Sequence, residues 1–253
     1  MNDQSSTPKT PRNAASWASP VDRMTAGDLP TDAINLNVTG RRPLSPLQGF
    51  GQMWQKTYRI RLDGTAAGSG QAVPPQTLVA EWKAHFPDFW PQGNRFFGAV
   101  GGVAPGDVAV LNVAGPGGMK LSTGIRVIYA DEESFSFMTP EGHMFAGMIT
   151  FSSFVAEGQT IAQIQALIRA NDPVYEMSFR LGFGHKAEDA FWHQTLRNLA
   201  AHLGTTGTVS QTNVLVDKRV QWAEAKNIWQ NAAIRTAVYM PIHLLKRLTE
   251  GRR

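Results

Sequence analysis

Cysteine is absent from this 253-residue chain. Its absence excludes disulfide scaffolds, thiolate zinc sites, iron–sulfur clusters and cysteine nucleophiles together, and leaves the redox compartment unspecified. Charge is scarce as well. Asp, Glu, Lys and Arg make up 17% of the residues, against about 25% in an average globular chain. With so few charges to cover the surface, some apolar area is left to face a ligand or a partner. No run reaches the ~18 apolar residues of a membrane span, and the N-terminus carries no apolar signal core. A soluble, cytoplasmic protein is the expectation. The phosphate-binding loops are missing too. Gly115-Pro116-Gly117-Gly118-Met119-Lys120-Leu121-Ser122 separates its lysine from the hydroxyl that must follow it directly, so the segment reads as a glycine-rich hairpin loop. Gly98–Gly102 lacks dinucleotide spacing, and its glycines suit a strand bend or bulge. No Gly-x-Ser-x-Gly elbow occurs, and no cofactor is expected.

The net charge is +4, yet its location says more than its size. Residues 216–253 hold eight Lys/Arg and three Asp/Glu, which leaves sixteen basic and seventeen acidic groups in the rest of the chain. The basic character belongs to the C-terminal segment. A nucleic-acid-binding domain carries its basic stripe, interleaved with aromatics, along the main surface, so nucleic acid is not an expected partner.

What is present is enough for a sizeable core: 42% apolar residues and 24 glycines. Residues 1–45, rich in Ser, Thr, Asn and Pro, read as a disordered arm. Asn37-Val38-Thr39 fits a glycosylation acceptor, which has no meaning without export. Thr57-Tyr58-Arg59-Ile60-Arg61-Leu62 alternates with the period of a half-buried strand. Pro74-Pro75 opens a helix that sets Leu78, Trp82 and Phe86 on one stripe, ending in an aromatic cluster with Phe89, Trp90, Phe96 and Phe97. Turn signals then divide residues 95–170 into six strands, near 95–103, 107–113, 120–130, 133–139, 143–155 and 160–170. The last of these also suits a helix, and its strand neighbours decide the assignment. A helix over about 186–203 ends at Gly204, where a C′ glycine belongs. A second helix over about 217–248 carries the stripe Trp222, Ala225, Trp229, Met240, Leu244 and Leu248, with Pro241 set to kink or break it. Strand, helix, six strands and a long helix pack most naturally as one antiparallel sheet curled around that helix, an α+β fold.

This order resembles the helix-grip fold of the START and polyketide-cyclase-like (SRPBCC) superfamily, to which the birch-pollen-allergen-like proteins also belong. The likeness lies in the aromatic helix and turn Leu78–Pro91 and in the closing-helix pattern Phe191-Trp192-His193-Gln194-Thr195-Leu196-Arg197-Asn198-Leu199-Ala200-Ala201-His202-Leu203. Phe137-Met138-Thr139-Pro140-Glu141-Gly142-His143 is similar to a strand–Gly-His turn of an uncharacterised bacterial branch. The resemblance covers residues 54–204 and implies a curved seven-stranded antiparallel sheet wrapped around the long helix. It leaves 1–45 as an arm and 205–253 as a basic helical extension. It further implies an internal cavity for an apolar or amphipathic small molecule such as a lipid, sterol or polyketide, in a carrier, a sensor, or a cyclase or dehydratase.

Within that frame the candidate ligand-binding residues are Trp82, Phe86, Phe137 and Phe151 as apolar walls and Arg126 and Arg169 as polar anchors. Each arginine stands in an otherwise apolar strand, where it either faces solvent or needs a partner. His143 follows a strand near the expected cavity mouth, as a ligand anchor, an acid or base, or a turn histidine bonded to backbone. His185, Asp189 and His193 recur every four residues, a spacing that could aim them at a metal. Their stripe lies beside the buried Phe191/Trp192 face and so on the wet side, and no metal is expected. The 217–248 helix sets Trp222 and Trp229 beside Lys218, Arg219, Lys226, Arg235, Lys246 and Arg247. Such a helix packs on the domain or a second subunit, or lies at a membrane surface as the anchor of an adaptor.

Overall fold

The computed structural model describes residues 14–63, 72–98, 103–114 and 120–250. Nine strands build one antiparallel sheet: β1 (Pro43–Leu44), β2 (Met53–Asp63), β3 (Arg95–Phe97), β4 (Val108–Ala114), β5 (Lys120–Ala130), β6 (Ser134–Pro140), β7 (Phe145–Ala156), β8 (Gln159–Ala170) and β9 (Thr206–Asp217). Among the described residues four α-helices accompany it: α1 (Pro75–Ala84), α2 (Pro173–Arg180), α3 (Phe183–His202) and α4 (Ala232–Glu250). The sheet runs β3-β4-β5-β6-β7-β8-β2-β9, with β1 added beside β6. Residues 99–102 and 115–119, and with them the two glycine segments, lie outside the described residues. Ala114 and Lys120, which flank the second, pair directly as a hairpin requires.

The core forms between one face of this sheet and α1 and α3. Tyr58, Ile60 and Leu62 point inward from β2, as their alternation demands, and meet Leu78 and Trp82 of α1 and Leu196 and Leu199 of α3. Phe86 is the hub. Its ring stands 5.1–5.9 Å from those of Trp90, Phe96, Phe135, Phe137 and Phe151, mostly edge-on. Such contacts add about 0.5–1.5 kcal/mol each beyond the area they bury. Gly204 ends α3 with a left-handed backbone, φ +68°. A long helix held against the face of one antiparallel sheet is the helix-grip arrangement.

Three expectations need correction. Among the described residues the sheet has nine strands rather than seven, because Pro43–Leu44 of the expected arm form β1 and residues 206–217 of the expected helical extension form β9. This strand pairs with β2 along its whole length, from Met53↔Asp217 to Asp63↔Thr206. The C-terminal extension is therefore joined to the domain, and the helix expected over 217–248 divides into the end of β9, a 3-10 stretch (Trp222–Gln230) and α4. Pro241 lies inside α4, which continues past it.

The third correction concerns the arm. Pro43–Leu44 pair with β6, and residues 14–42 run largely against the outer face of β4 and β5. Met24 and Val38 are buried there with Phe97 and Val110 as a second apolar cluster, and Trp17 bridges to Tyr129. Gly124 makes the seat, since a Cβ at this position would meet the Val38 side chain at 2.6 Å. Asn37, fully buried, donates through Nδ2 to the Ser122 carbonyl (2.9 Å) and Thr236 Oγ1 (3.2 Å), and its Oδ1 accepts from Arg235 Nε (3.0 Å). It fastens arm, β5 and α4 together and is closed to glycosylation. A few well-placed anchors offset the ordering cost that composition alone assigned to disorder.

Candidate functional site

An apolar cavity of about 1220 Å³ opens between the sheet and the helices. Its sheet wall comes from inward residues of β4 to β8, such as Leu111, Ile125, Phe137, Ile149 and Ile168, and its opposite wall from Phe179, Phe183, Phe191 and Trp192 of α2 and α3. Ala233 and Thr236 of α4 complete it. Among the residues that line it, Thr139, His143 and Glu188 are polar.

A charged cluster lies under the α3 wall. Lys56, fully buried, follows the inward period of Tyr58 and Ile60. Its Nζ stands 2.7 Å from Asp189 Oδ1 and 2.8 Å from Glu188 Oε2, and the Tyr58 hydroxyl donates to the same Asp189 oxygen at 2.7 Å. Glu188 also faces the cavity. Burial pushes its carboxyl up to about 7 against the opposing pull of Lys56. Asp189 goes the other way: burial works to raise it, but hydrogen bonds from Lys56, Gln211 and Tyr58 outweigh that and hold it below its ordinary value. Tyr58 is raised by burial and then by the two carboxylates, so it stays a phenol. Two adjacent carboxyls with separated affinities for a proton, one of them on the wall of an apolar cavity, can donate or accept a proton near neutral pH.

The expected site residues separate. Phe86, Phe137 and His143 stand on the cavity wall. Trp82 and Phe151 pack behind it, ring against ring at 5.3 Å, as core. Arg126 points to the outer face and donates to the Ser19 carbonyl at 2.7 Å, holding the arm. Arg169 is buried and paired, but away from the main cavity: it donates to the Gly51 and Arg219 carbonyls and to Asp217 Oδ2 (2.6 Å). It pins the end of β9, and hydrogen bonds from Arg219 and then Arg169 hold the Asp217 carboxyl well below the carboxylate range. His143 accepts from the Phe145 amide through Nδ1 (3.0 Å), and burial lowers it to about 4. The same Nδ1 lies 3.2 Å from the Phe145 carbonyl oxygen, and the ring is neutral near pH 7. Its turn is fixed by Gly142, φ +85°, where a Cβ would lie 1.9 Å from the Gln230 carbonyl oxygen.

His185, Asp189 and His193 do not converge on a metal. His185 lies edge-on to Trp54 at 5.2 Å, and His193 Nε2 meets Gln211 Oε1 at 2.9 Å. Their stripe is not wet, because β2 and β9 cover it. The signal for Lys56 was available in the strand period, two residues before Tyr58. The signal for Glu188 was not, since one buried glutamate in a polar helix stripe looks like any solvated one.

A sheet gripping a helix around an apolar cavity defines the class: a helix-grip protein with room for a small molecule. No protein-family profile matches the sequence, and neither does any curated protein. Among solved structures, the chain is similar to the di-domain aromatase/cyclase StfQ from the steffimycin biosynthetic pathway, at 11% identity and a TM-score of 0.45 over 60% of this chain and 51% of that one. It thus spans about half of StfQ. The KanY protein matches at 14% identity and a TM-score of 0.43, over 58% of this chain and 95% of that one. Major latex-like protein 151 from Panax ginseng matches at 18% identity and a TM-score of 0.36, over 60% and 98%.

Proposed function

We propose that the protein binds one hydrophobic or amphipathic small molecule, of the lipid, sterol or polyketide kind, in this cavity, as a carrier or sensor. The cavity itself carries the reading. Its 1220 Å³ exceeds the 300–1,000 Å³ of common ligand pockets, room for several fused rings or a long acyl chain. Its walls are mostly apolar, with Thr139, His143 and Glu188 among the few polar residues that line it. Native mass spectrometry of the freshly purified chain, followed by organic extraction, tests it. A defined extra mass released as an apolar compound is expected. A bare chain that also takes up no apolar probe such as ANS would overturn the proposal.

Glu188 favours a second reading, a cyclase or dehydratase on the same fold. Its carboxyl faces the cavity with a proton affinity matched to neutral pH, which suits general acid–base work. Comparing the compound extracted from native protein with that from Glu188→Gln separates the readings. An enzyme whose step is blocked retains its precursor, heavier by one water for a dehydration, whereas a carrier retains the same molecule in both.

A further inference from the structure

The ends of two helices meet away from the cavity. α1 ends at Ala84 with His85 as its C-cap, and α3 ends at His202. There Glu81, His85 and His202 each present one ligand atom, and the three atoms lie within 4.8 Å of one another. Glu81 Oε2 stands 3.2 Å from His202 Nε2 and 3.8 Å from His85 Nε2. Asp88 Oδ2 lies 3.3 Å from His85 Nδ1. A carboxylate on the far nitrogen is the usual outer partner of a metal-binding histidine: it fixes the tautomer and leaves the Nε2 lone pair free for an ion. The His202 ring is seated on Phe89, edge-on at 5.2 Å.

We propose that Glu81, His85 and His202 form a binding site for a divalent transition metal, with Zn²⁺ the preferred ion, that ties α1 to α3. Two imidazole nitrogens and one carboxylate suit zinc and its first-row neighbours, while magnesium and calcium prefer oxygen alone. Tetrahedral zinc with bonds of about 2.0–2.1 Å sets its ligand atoms about 3.3 Å apart. The Glu81–His202 spacing already matches that, and the half-exposed Glu81 and His85 side chains reach it by small rotations. The surroundings favour a cation. Each helix C-terminus carries about half a negative charge, and two of them converge here. Three protein ligands leave the fourth position open to water.

Equilibrium dialysis of the untagged, chelator-stripped full chain against ZnCl₂ tests the site, with Co²⁺ absorption as a report of the ligand set. The expected result is one equivalent of zinc, unaffected by excess Mg²⁺. His85→Ala and His202→Ala should each weaken binding by at least about tenfold, and Asp88→Asn by about 10–100-fold. Zinc should raise the thermal midpoint of the native chain and leave that of His202→Ala unmoved, while the two agree in chelator, which certifies the fold of the variant. No zinc binding by the native chain, or full binding retained by the doubly substituted His85→Ala/His202→Ala chain, would overturn the proposal.

Discussion

Replacing Glu188 with Gln should change how stability depends on pH more than it changes stability itself. In the folded chain burial raises this carboxyl from its ordinary 4.5 to about 7. Between those values the folded protein holds a proton that the unfolded chain has released. Stability contributed by the protonated form is thus complete below about pH 4.5 and declines as pH rises towards 7. At about 1.4 kcal/mol per pH unit, the interval amounts to about 3 kcal/mol. Glutamine mimics the protonated carboxyl in shape and cannot ionise, and Lys56 keeps its partner Asp189. Other groups titrate in the same window: His143 and His185, both lowered to about 4 chiefly by burial, make stability rise with pH. They act equally in both proteins, so the difference between native and variant isolates Glu188. Urea unfolding followed by tryptophan fluorescence at pH 4.5, 5.5, 6.5 and 7.5 measures it. Glu188→Gln should gain about 3 kcal/mol on the native chain across the series. A difference that stays level would refute a carboxyl held protonated by burial and show Glu188 to be an ordinary ion paired with Lys56.

Two further outcomes follow from the packing. Asn37→Ala removes a side chain that bonds to Ser122, Thr236 and Arg235 at once; it should cost about 2–3 kcal/mol and open residues 14–45 to limited proteolysis, and unchanged cleavage would mean the arm is held elsewhere. Ile149→Trp places a large ring on the cavity wall; uptake of an apolar fluorophore should fall by roughly tenfold or more while the unfolding midpoint shifts little, since the new ring fills space instead of displacing core.

The strands and the closing helix were legible because their burial follows a simple period. Ile125, Val127 and Tyr129 on β5 are all buried, as their alternation requires. The choice of strand over helix for 160–170 was settled correctly by its neighbours. β9 was harder. Its residues Thr206–Asn213 are polar apart from Gly207 and Val209, while Val214, Leu215 and Val216 are exposed, and the strand lies largely open to solvent at the sheet edge. No alternation of apolar and polar residues marked it, and only its β-branched content hinted at a strand. The arm escaped because a disordered composition and a sparse set of anchors look alike until the seats for Met24, Asn37 and Val38 are known. The arginines illustrate a different limit. Alternation says that Arg126 and Arg169 share a face with their second neighbours, but what covers that face comes from residues 19, 51, 217 and 219. Lys56 shows that polarity does not exclude the inward face. A buried cation was permitted there because two carboxylates arrive from a helix more than a hundred residues later.

The place of β2 in the sheet has a consequence for how the chain is made. β2 is flanked by β8 and β9, and its β9 partners lie 143 to 164 residues further along. On a ribosome, residues 53–63 emerge early and wait with both edges bare until residues 159–170 supply one neighbour and residues 206–217 the other. Pairings so distant in sequence are slow to form, and an unpaired strand is a template for other chains. Lys56, Arg59 and Arg61 place three positive charges on that waiting strand, which discourages association between nascent copies. A truncation after α3 leaves that edge permanently open, so a shortened chain should reveal its loss in solubility before it reveals it in ligand binding.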